Sequence, residues 1–361
     1  MIVFVHLLND RSGSPRVLCG VMAALVEPGV RQMLYMGCGG DGFLSESGVP
    51  ARRYTYRRGS NRWAVLRNWL ASQLDLSCKL WGARDIDQDA TLYVNTLLPF
   101  AAAVYGRLTG RRVVWHVHEV SLQPRALQWL LVVLVKWAAD TVICVSEFQR
   151  SRLRLSSACV VRNAVDVAIF ASGMRNVYMP RRDSVFRVCL LCSLRDYKGV
   201  PEFLRLARTF EGDAGLRFVL VASDDAAVVR TYLETRDAPR NLEVHHCVED
   251  VTTIYAQAGL VVNLSRVDIC QETFGLTLLE AMAFGIPVIA PPVGGPADLV
   301  EDGVQGYRVD SRDADALQAA VARMAGDEML CLQFSAACRC RARELSPSAF
   351  QASLRTAVLG K

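Results

Sequence analysis

Continuous apolar runs of strand length recur along the whole chain, separated by segments with helical spacing or turn residues. The first run, Ile2–Leu8, leads into a turn-rich loop, Asn9–Pro15, and then into a predicted helix, Arg16–Val26. A strand, a Gly/Ser loop and a helix in this order are typical of a doubly wound α/β sheet. We predict further strands at 91–94, 112–117, 141–145, 160–161, 185–191, 216–222, 242–245, 260–264 and 288–290.

The stretch from Ser265 to Gly295 has the clearest pattern in the chain. Its apolar residues Leu276, Leu279 and Ala283 form one helical stripe. Gly285 is suited to the left-handed residue that ends a helix, and a short buried strand follows it. The stretch therefore predicts a loop, a helix, a strand and a second loop.

Two carboxylates accompany the start of this helix. Glu272 lies in the loop before it, and Glu280 lies one to two turns inside it. Between them, Phe274, Gly275 and Leu276 would present free backbone N–H groups, which attract phosphate at a helix N-terminus. Carboxylates beside such a site can accept hydrogen bonds from sugar hydroxyls, so the unit is suited to a sugar nucleotide.

The run E-T-F-G-L-T-L-L-E-A-M-A-F-G-I-P-V-I resembles the E-x7-E signature of retaining glycosyltransferase family 4. That family has the GT-B fold, two doubly wound Rossmann-like domains facing each other across a cleft. The resemblance implies that Glu280 binds the nucleotide ribose and that Glu272 contacts the donor sugar. It also places Thr273 and the backbone of 274–276 at the donor. An ordinary helix–strand unit with solvated glutamates is the alternative.

A second motif, C-S-L-R-D-Y-K-G, resembles the family's G-R-L-x-x-x-K-G, whose arginine and lysine hold the diphosphate. Lys198 and Gly199 match, but Ser193 stands where the family has arginine. Arg195, two residues on, has a side chain long enough to bind phosphate in its place. The alternative is that Lys198 is an ordinary surface lysine.

The first half of the chain resembles the family more weakly. The strand 112–117 delivers H-V-H-E to its carboxyl end, and the resemblance implies that His118 reaches the donor sugar. The role of His116 stays open. Gly13 and Ser14 occupy the loop that lies against the donor in GT-B enzymes, although a plain tight turn explains them almost equally well.

The run R-N-A-V-D-V-A-I-F resembles an N-G-V-D-x-x-x-F element that closes the first domain, with Ala164 in place of glycine. We predict an N-terminal, acceptor-side domain over 1–175, a linker at 172–180 and a nucleotide-sugar-binding domain over 180–345. The tail 346–361 is predicted to be a helix that crosses back onto the first domain.

Charge is uneven along the chain. Residues 1–170 hold 20 Lys and Arg against 12 Asp and Glu, whereas the remainder holds 21 against 24. The densest basic stretch, Arg52–Arg67, also carries Trp63, Leu66 and Leu70 at helical spacing. It predicts either contact with an anionic membrane surface or an ordinary surface helix. No nucleic-acid-binding motif is present.

The remaining features predict a cytoplasmic protein, with membrane contact confined to the inner face. The most apolar helix, Leu127–Ala139, is predicted to be buried and is too short to span a bilayer. The N-terminus begins with a strand rather than a signal peptide. The 12 cysteines form no metal or disulfide pattern, so we expect reduced thiols. We expect neither a metal nor a cofactor.

Together these features predict a retaining glycosyltransferase that moves a sugar from a nucleotide diphosphate sugar to an acceptor hydroxyl. The resemblance places such an enzyme in bacterial cell-surface polysaccharide or glycolipid assembly. A GT-B sugar nucleotide epimerase and a non-catalytic sugar-nucleotide-binding protein remain as alternatives. The donor base, the donor sugar and the acceptor are not predicted.

Overall fold

The computed structural model describes residues 1–37 and 42–360, which form two compact units. Unit 1 comprises Met1–Asn163 and Ser348–Lys361, and unit 2 comprises Ala164–Pro347. Each unit has one largely parallel sheet flanked by helices, so the predicted α/β class is confirmed.

Seven strands form the sheet of unit 1: β1 (Ile2–His6), β2 (Gln32–Gly37), β3 (Ala51–Tyr54), β4 (Thr91–Asn95), β5 (Arg112–Val117), β6 (Thr141–Cys144) and β7 (Cys159–Val160). They lie in the order β3-β2-β1-β4-β5-β6-β7, and all neighbours are parallel. The order reverses between β1 and β4. In doubly wound sheets, ligands bind at the carboxyl ends of the strands beside such a reversal.

The helices that connect these strands are α1 (Gly13–Ala24), α2 (Arg62–Gly82), α3 (Phe100–Leu108), α4 (Arg125–Ala138) and α5 (Glu147–Arg152). Helix α1 begins three residues earlier than predicted. Asn61 caps α2, since its side chain accepts hydrogen bonds from the backbone of Trp63 and Ala64. Helix α3 packs between α2 and α4, so these three helices lie side by side on one face of the sheet.

Helix α4 covers the segment that was predicted to be buried, but only one side of it is buried. Leu131, Val135 and Ala138 pack into the core of unit 1. The opposite side is exposed although it is apolar, so the prediction of a buried helix holds for one side only. A helix on the surface of a sheet buries only the stripe that faces the sheet. Its exposed large residues are Trp129, Leu130, Val133 and Trp137.

Unit 2 contains β8 (Arg181–Arg182), β9 (Val185–Cys192), β10 (Leu216–Ala222), β11 (Leu242–His246), β12 (Leu260–Val262), β13 (Val288–Ala290) and β14 (Gly306–Arg308). Six strands run parallel in the order β11-β10-β9-β12-β13-β14, and β8 pairs antiparallel with β9. The order reverses between β9 and β12, and in doubly wound sheets the carboxyl ends of the strands at such a reversal are where ligands bind.

The helices of unit 2 are α6 (Val167–Arg175), α7 (Val200–Thr209), α8 (Ala226–Glu234), α9 (Thr252–Gln257), α10 (Leu276–Ala283), α11 (Gly295–Leu299), α12 (Ala314–Gly326) and α13 (Glu328–Glu344). Helix α6 packs on α9 and α10. The unit boundary therefore precedes α6, instead of falling at residue 175. The predicted linker at 172–180 begins inside α6, and α6 packs against other helices of unit 2.

The last helix, α14 (Pro347–Leu359), is grouped with unit 1. Arg355 donates hydrogen bonds to the backbone of Ala24 and to Glu27, and Arg112 donates to the backbone of Ala357 and Val358. These bonds fasten the end of the chain to α1 and β5.

The described residues contain no disulfide, no candidate metal centre and no candidate membrane-spanning helix. The eleven cysteines among them are free, and three are exposed rather than buried. No group of three or more His, Cys, Asp or Glu side chains in this part of the chain could hold a metal ion. Within the described ranges, no helix combines the length and apolar character that crossing a membrane requires.

Candidate functional site

A partly buried ion pair joins the two motifs of unit 2. The Lys198 Nζ lies 2.5 Å from Glu272 Oε1, and the two side chains are 26% and 15% exposed. Ser265 Oγ donates to the same carboxylate oxygen at 2.7 Å, and Asn263 Nδ2 donates to the other at 2.8 Å. Three donors therefore fix the position of the Glu272 carboxylate. The structure thus brings together Lys198 and Glu272, two of the predicted site residues.

Two glycines allow the backbone segments around this pair to pack closely. Gly199 adopts φ 81°, and a Cβ on it would lie 2.1 Å from the carbonyl oxygen of Leu264. A Cβ on Gly295 would lie 2.0 Å from the carbonyl oxygen of Thr273. Gly295 N–H also donates to the carbonyl of Glu272 at 2.8 Å. Larger residues at 199 and 295 would force apart the loops that hold Lys198 against Glu272.

The pair is charged at neutral pH. Burial alone would lower the pKa of Lys198, but attraction to Glu272 and their hydrogen bond raise that pKa above its usual value. Burial alone would raise the pKa of Glu272, but Lys198, Ser265 and Asn263 hold that pKa below its usual value. An ammonium group has three N–H donors. Lys198 therefore keeps donors for an anionic ligand while it is bonded to Glu272.

Helix α10 begins directly after this pair. Gly275 precedes it with φ 100°, a left-handed conformation, and Leu276 is its first residue. The first N–H groups of a helix have no acceptor within the helix, and they carry a partial positive charge. Phe274 is buried, whereas Thr273 and Leu276 are half-buried. The donors left on the Lys198 ammonium group and the N–H groups at this helix N-terminus are suited to a phosphate.

Glu280 lies on α10, as predicted, but its carboxylate has a partner that the sequence does not predict. Tyr255 Oη donates to Glu280 Oε2 at 2.7 Å, and Glu280 is only 3% exposed. Tyr255 comes from α9 and is itself fully buried. The structure thus holds the Glu280 carboxylate in a fixed position. Its role toward a ribose stays a prediction.

Arg195 lies at the surface beside Lys198. Its guanidinium is 3.6 Å from Asp224, and the Arg195 side chain is 55% exposed. Asp224 also accepts a hydrogen bond from the backbone of Leu194 at 2.7 Å. Ser193, at the position of the family's arginine, is half-buried. Arg195 could therefore turn toward a phosphate, but a carboxylate competes for it.

In unit 1, the predicted histidine belongs to a hydrogen-bonded chain at the carboxyl ends of β1, β4 and β5. His118 Nε2 donates to Asn95 Oδ1 at 2.8 Å. The other side of this amide, Asn95 Nδ2, contacts His6 Nδ1 at 3.1 Å and donates to the carbonyl of Ser14 at 3.3 Å. Asn95 thus holds the His118 ring, with Nδ1 left as the basic nitrogen.

Three buried histidines at this edge of the sheet, His6, His116 and His118, are neutral at physiological pH. Burial, reinforced by the nearby His116 and His6 rings, holds the pKa of His118 well below its usual value. Burial lowers the pKa of His6 to about 4 and that of His116 to about 3. His116, whose role was left open, shares a 2.7 Å hydrogen bond with Tyr93. His118 can therefore accept a hydrogen bond at neutral pH.

Gly13 is the first residue of α1, and it is exposed. A Cβ added to Gly13 would meet no atom within 4 Å, so the protein itself does not require glycine there. Open space in front of a helix N-terminus leaves room for a ligand, which fits the predicted role without testing it.

Sequence reasoning did not assign several residues of these two sites: His6, Asn95, Tyr255, Asn263 and Ser265. Four of them share one signal, because they are polar and lie at or just after the end of an apolar strand. The carboxyl ends of neighbouring parallel strands meet at one edge of a sheet. That rule could have singled out these four residues, whereas nothing local points to Tyr255.

Most of unit 2 matches a known protein family. Residues 182–342 match the family model described as glycosyl transferases group 1. Sucrose synthase 6 of Arabidopsis thaliana is 37% identical over 79 residues, which cover 22% of this chain and 7% of that relative. The matched segment is therefore a small part of the relative's length.

Two solved structures match over nearly the whole chain. Alr3699/HepE of Anabaena, in complex with UDP-glucose, has a TM-score of 0.80 at 18% identity and covers 100% of this chain and 99% of its own. Trehalose-6-phosphate synthase, from work on glycosyltransfer with retention, has a TM-score of 0.74 at 13% identity and covers 100% and 99%. At such identities the likeness concerns the fold. The chain thus carries a glycosyl transferases group 1 domain, and its two α/β units have the fold of the GT-B glycosyltransferases.

Proposed function

We propose that the protein transfers a sugar from a nucleotide diphosphate sugar to an acceptor hydroxyl, with retention at the anomeric carbon. The observation that carries the proposal is the partly buried Lys198–Glu272 pair beside the start of α10. Both residues lie within the segment that matches glycosyl transferases group 1. The UDP-glucose complex of Anabaena Alr3699/HepE supports a nucleotide sugar as donor.

The proposed chemistry is electrostatic. When the bond between the sugar and the diphosphate breaks, negative charge develops on the departing phosphate. Lys198 and the N–H groups at the start of α10 would stabilise this charge, and they are already in place before the reaction. Glu272 keeps Lys198 protonated and orients it. Since these positive groups belong to the chain, we expect the rate to be independent of a divalent metal.

Retention, the acceptor and the location of the enzyme are the finer parts of the proposal. The likeness to trehalose-6-phosphate synthase supports retention. The family resemblance supports His118 as a contact of the donor sugar, and a glycan or lipid-linked acceptor in cell-surface assembly. The basic stretch 52–67 supports a position at the inner face of a membrane.

A thermal-shift screen with UDP, UDP-glucose and a panel of other nucleotide sugars tests the donor. A donor at about a hundred times its Kd should add about 2.7 kcal/mol to the free energy of unfolding. If no nucleotide diphosphate or nucleotide sugar raises the melting temperature, the proposal fails. Conversion of the free donor to its epimer, without an acceptor, would identify an epimerase instead.

A further inference from the structure

Unit 1 exposes an apolar surface that its fold does not cover. Of the six tryptophans, four are exposed, and all four lie on α2 and α4: Trp63 75%, Trp81 59%, Trp129 69% and Trp137 46%. Leucines and a valine extend the same two helix faces. We call this surface the tryptophan face; it consists of Trp63, Leu70, Leu74 and Trp81 on α2, and Trp129, Leu130, Val133 and Trp137 on α4.

The residues of each helix form one stripe. On α2 they follow one another at intervals of seven, four and seven residues, which returns each to the same side of a helix. On α4 they lie opposite Leu131, Val135 and Ala138, the residues that pack into the core. Because α2, α3 and α4 lie side by side on one face of the sheet, both stripes belong to the outward surface of the same helical layer.

The charges of this layer are almost all positive. Helices α2, α3 and α4 contain six Arg and Lys residues and one acidic residue, Asp75, which is paired with Lys79. In the loop after α2, Asp85 pairs with Arg52, and Asp87 pairs with Arg31. Among the described residues, the six are Arg62, Arg67, Lys79, Arg107, Arg125 and Lys136.

We propose that the tryptophan face docks on an anionic lipid bilayer, with α2 and α4 lying in the plane of the interface. Tryptophan and leucine on one side of a helix, with arginine and lysine around them, are suited to the boundary between headgroups and acyl chains. Arginine and lysine near the surface add attraction to anionic lipids. A protein partner of ordinary surface composition would not require a layer with almost no acidic residues. The docking does not depend on the transfer reaction.

This surface differs from the basic stretch 52–67, which the sequence singled out. That stretch reaches only the first turns of α2, whereas the tryptophan face extends along all of α2 and includes α4. Sequence patterns did not indicate α4 as a contact, because an apolar helix of its length is more often buried. Insertion through α4 therefore separates this inference from electrostatic attraction of the basic stretch alone.

Sedimentation with vesicles of phosphatidylcholine and about 30% phosphatidylglycerol tests the docking. The variants Trp129→Ser/Trp137→Ser and Trp63→Ser/Leu74→Ser change exposed side chains only. Each should weaken binding by about tenfold or more, because each removes most of the apolar area of one stripe. Met329→Ser/Leu332→Ser is the matched control, since it removes two exposed apolar side chains from α13 of unit 2 and should bind as the parent does.

Tryptophan fluorescence provides a second readout. Vesicles should shift the emission of the parent protein to shorter wavelength, and this shift should be smaller in the Trp129→Ser/Trp137→Ser variant. The proposal is overturned if the protein stays in the supernatant at low salt. It is also overturned if Arg57→Glu/Arg62→Glu abolishes binding while Trp129→Ser/Trp137→Ser does not. A dimer in solution that the tryptophan variants dissociate would assign the face to a second copy and refute lipid docking.

Discussion

Substitutions of Lys198 and Glu272 should have non-additive effects on the free energy of unfolding. In the transfer rate, the second substitution should not compensate for the first. Lys198→Met removes the ammonium group and keeps the apolar stem, and Glu272→Gln removes the charge and keeps the shape. Breaking a buried pair by removing one partner costs about 3–5 kcal/mol. Since the side chains remain 26% and 15% exposed, we expect about 2–4 kcal/mol for each single variant.

The double variant should be less destabilised than the sum of the single variants. It leaves no unpaired charge, and the single amide oxygen of the glutamine can still accept a hydrogen bond from Ser265 or from Asn263, which donate to different oxygens of Glu272. We expect a coupling energy of about 1–3 kcal/mol. The transfer rate should behave differently. Lys198→Met should lower it about a hundredfold or more, and adding Glu272→Gln should restore none of the loss, since both charges are then absent.

Urea unfolding of the four proteins gives the coupling energy, and single-turnover transfer gives the rates. Lys79→Met is the matched control, because Lys79 forms a pair of similar length, 2.7 Å, with Asp75 at the surface. An exposed pair contributes about 0–1 kcal/mol, so this variant should lose little stability and no activity. If the losses of stability at 198 and 272 are additive, the two side chains are not energetically coupled, and the reasoning is refuted. An unchanged rate in folded Lys198→Met would remove Lys198 from the leaving-group site.

Three further predictions follow from the two sites. Glu280→Gln should weaken nucleoside diphosphate binding by about 1.5–3 kcal/mol, measured by calorimetry, whereas Tyr255→Phe should reduce stability more than affinity; equal affinity in folded Glu280→Gln would exclude the ribose contact. The transfer rate should be the same in chelator, and NMR should show the retained anomer; recovery of a lost rate by magnesium, or an inverted product, would contradict the mechanism or the stereochemistry. The free energy of unfolding should fall as pH drops from about 6.5 towards 4, by about 1.4 kcal/mol per pH unit for each buried histidine, because the unfolded chain binds protons that His6 and His116 exclude when folded. His6→Gln should reduce the slope of the free energy of unfolding against pH by the contribution of one histidine. A free energy of unfolding that does not change over that range would count against neutral buried histidines.

The sequence alone determined the order of the elements and the family motifs of unit 2. Strands such as Arg112–Val117, Leu216–Ala222 and Val288–Ala290 have the predicted bounds, because buried parallel strands are short, continuous apolar runs. Gly285, predicted to end α10, adopts φ 76°. These features are local, since they depend on neighbouring residues and on backbone conformations that favour glycine. The motifs around Lys198 and Glu272 are equally local, and they were sufficient to predict the glycosyl transferases group 1 domain.

Only the tertiary structure decided which side chains meet. Lys198 and Glu272 are 74 positions apart, and Tyr255 and Glu280 are 25 apart, so no local pattern could pair them. The unit boundary depended on α6, whose packing partners lie far along the chain. The exposed side of α4 was not predictable for a different reason. The helix is apolar nearly all round, so its sequence does not specify which stripe faces the sheet, and only packing against β-strands and α3 leaves its tryptophans outside.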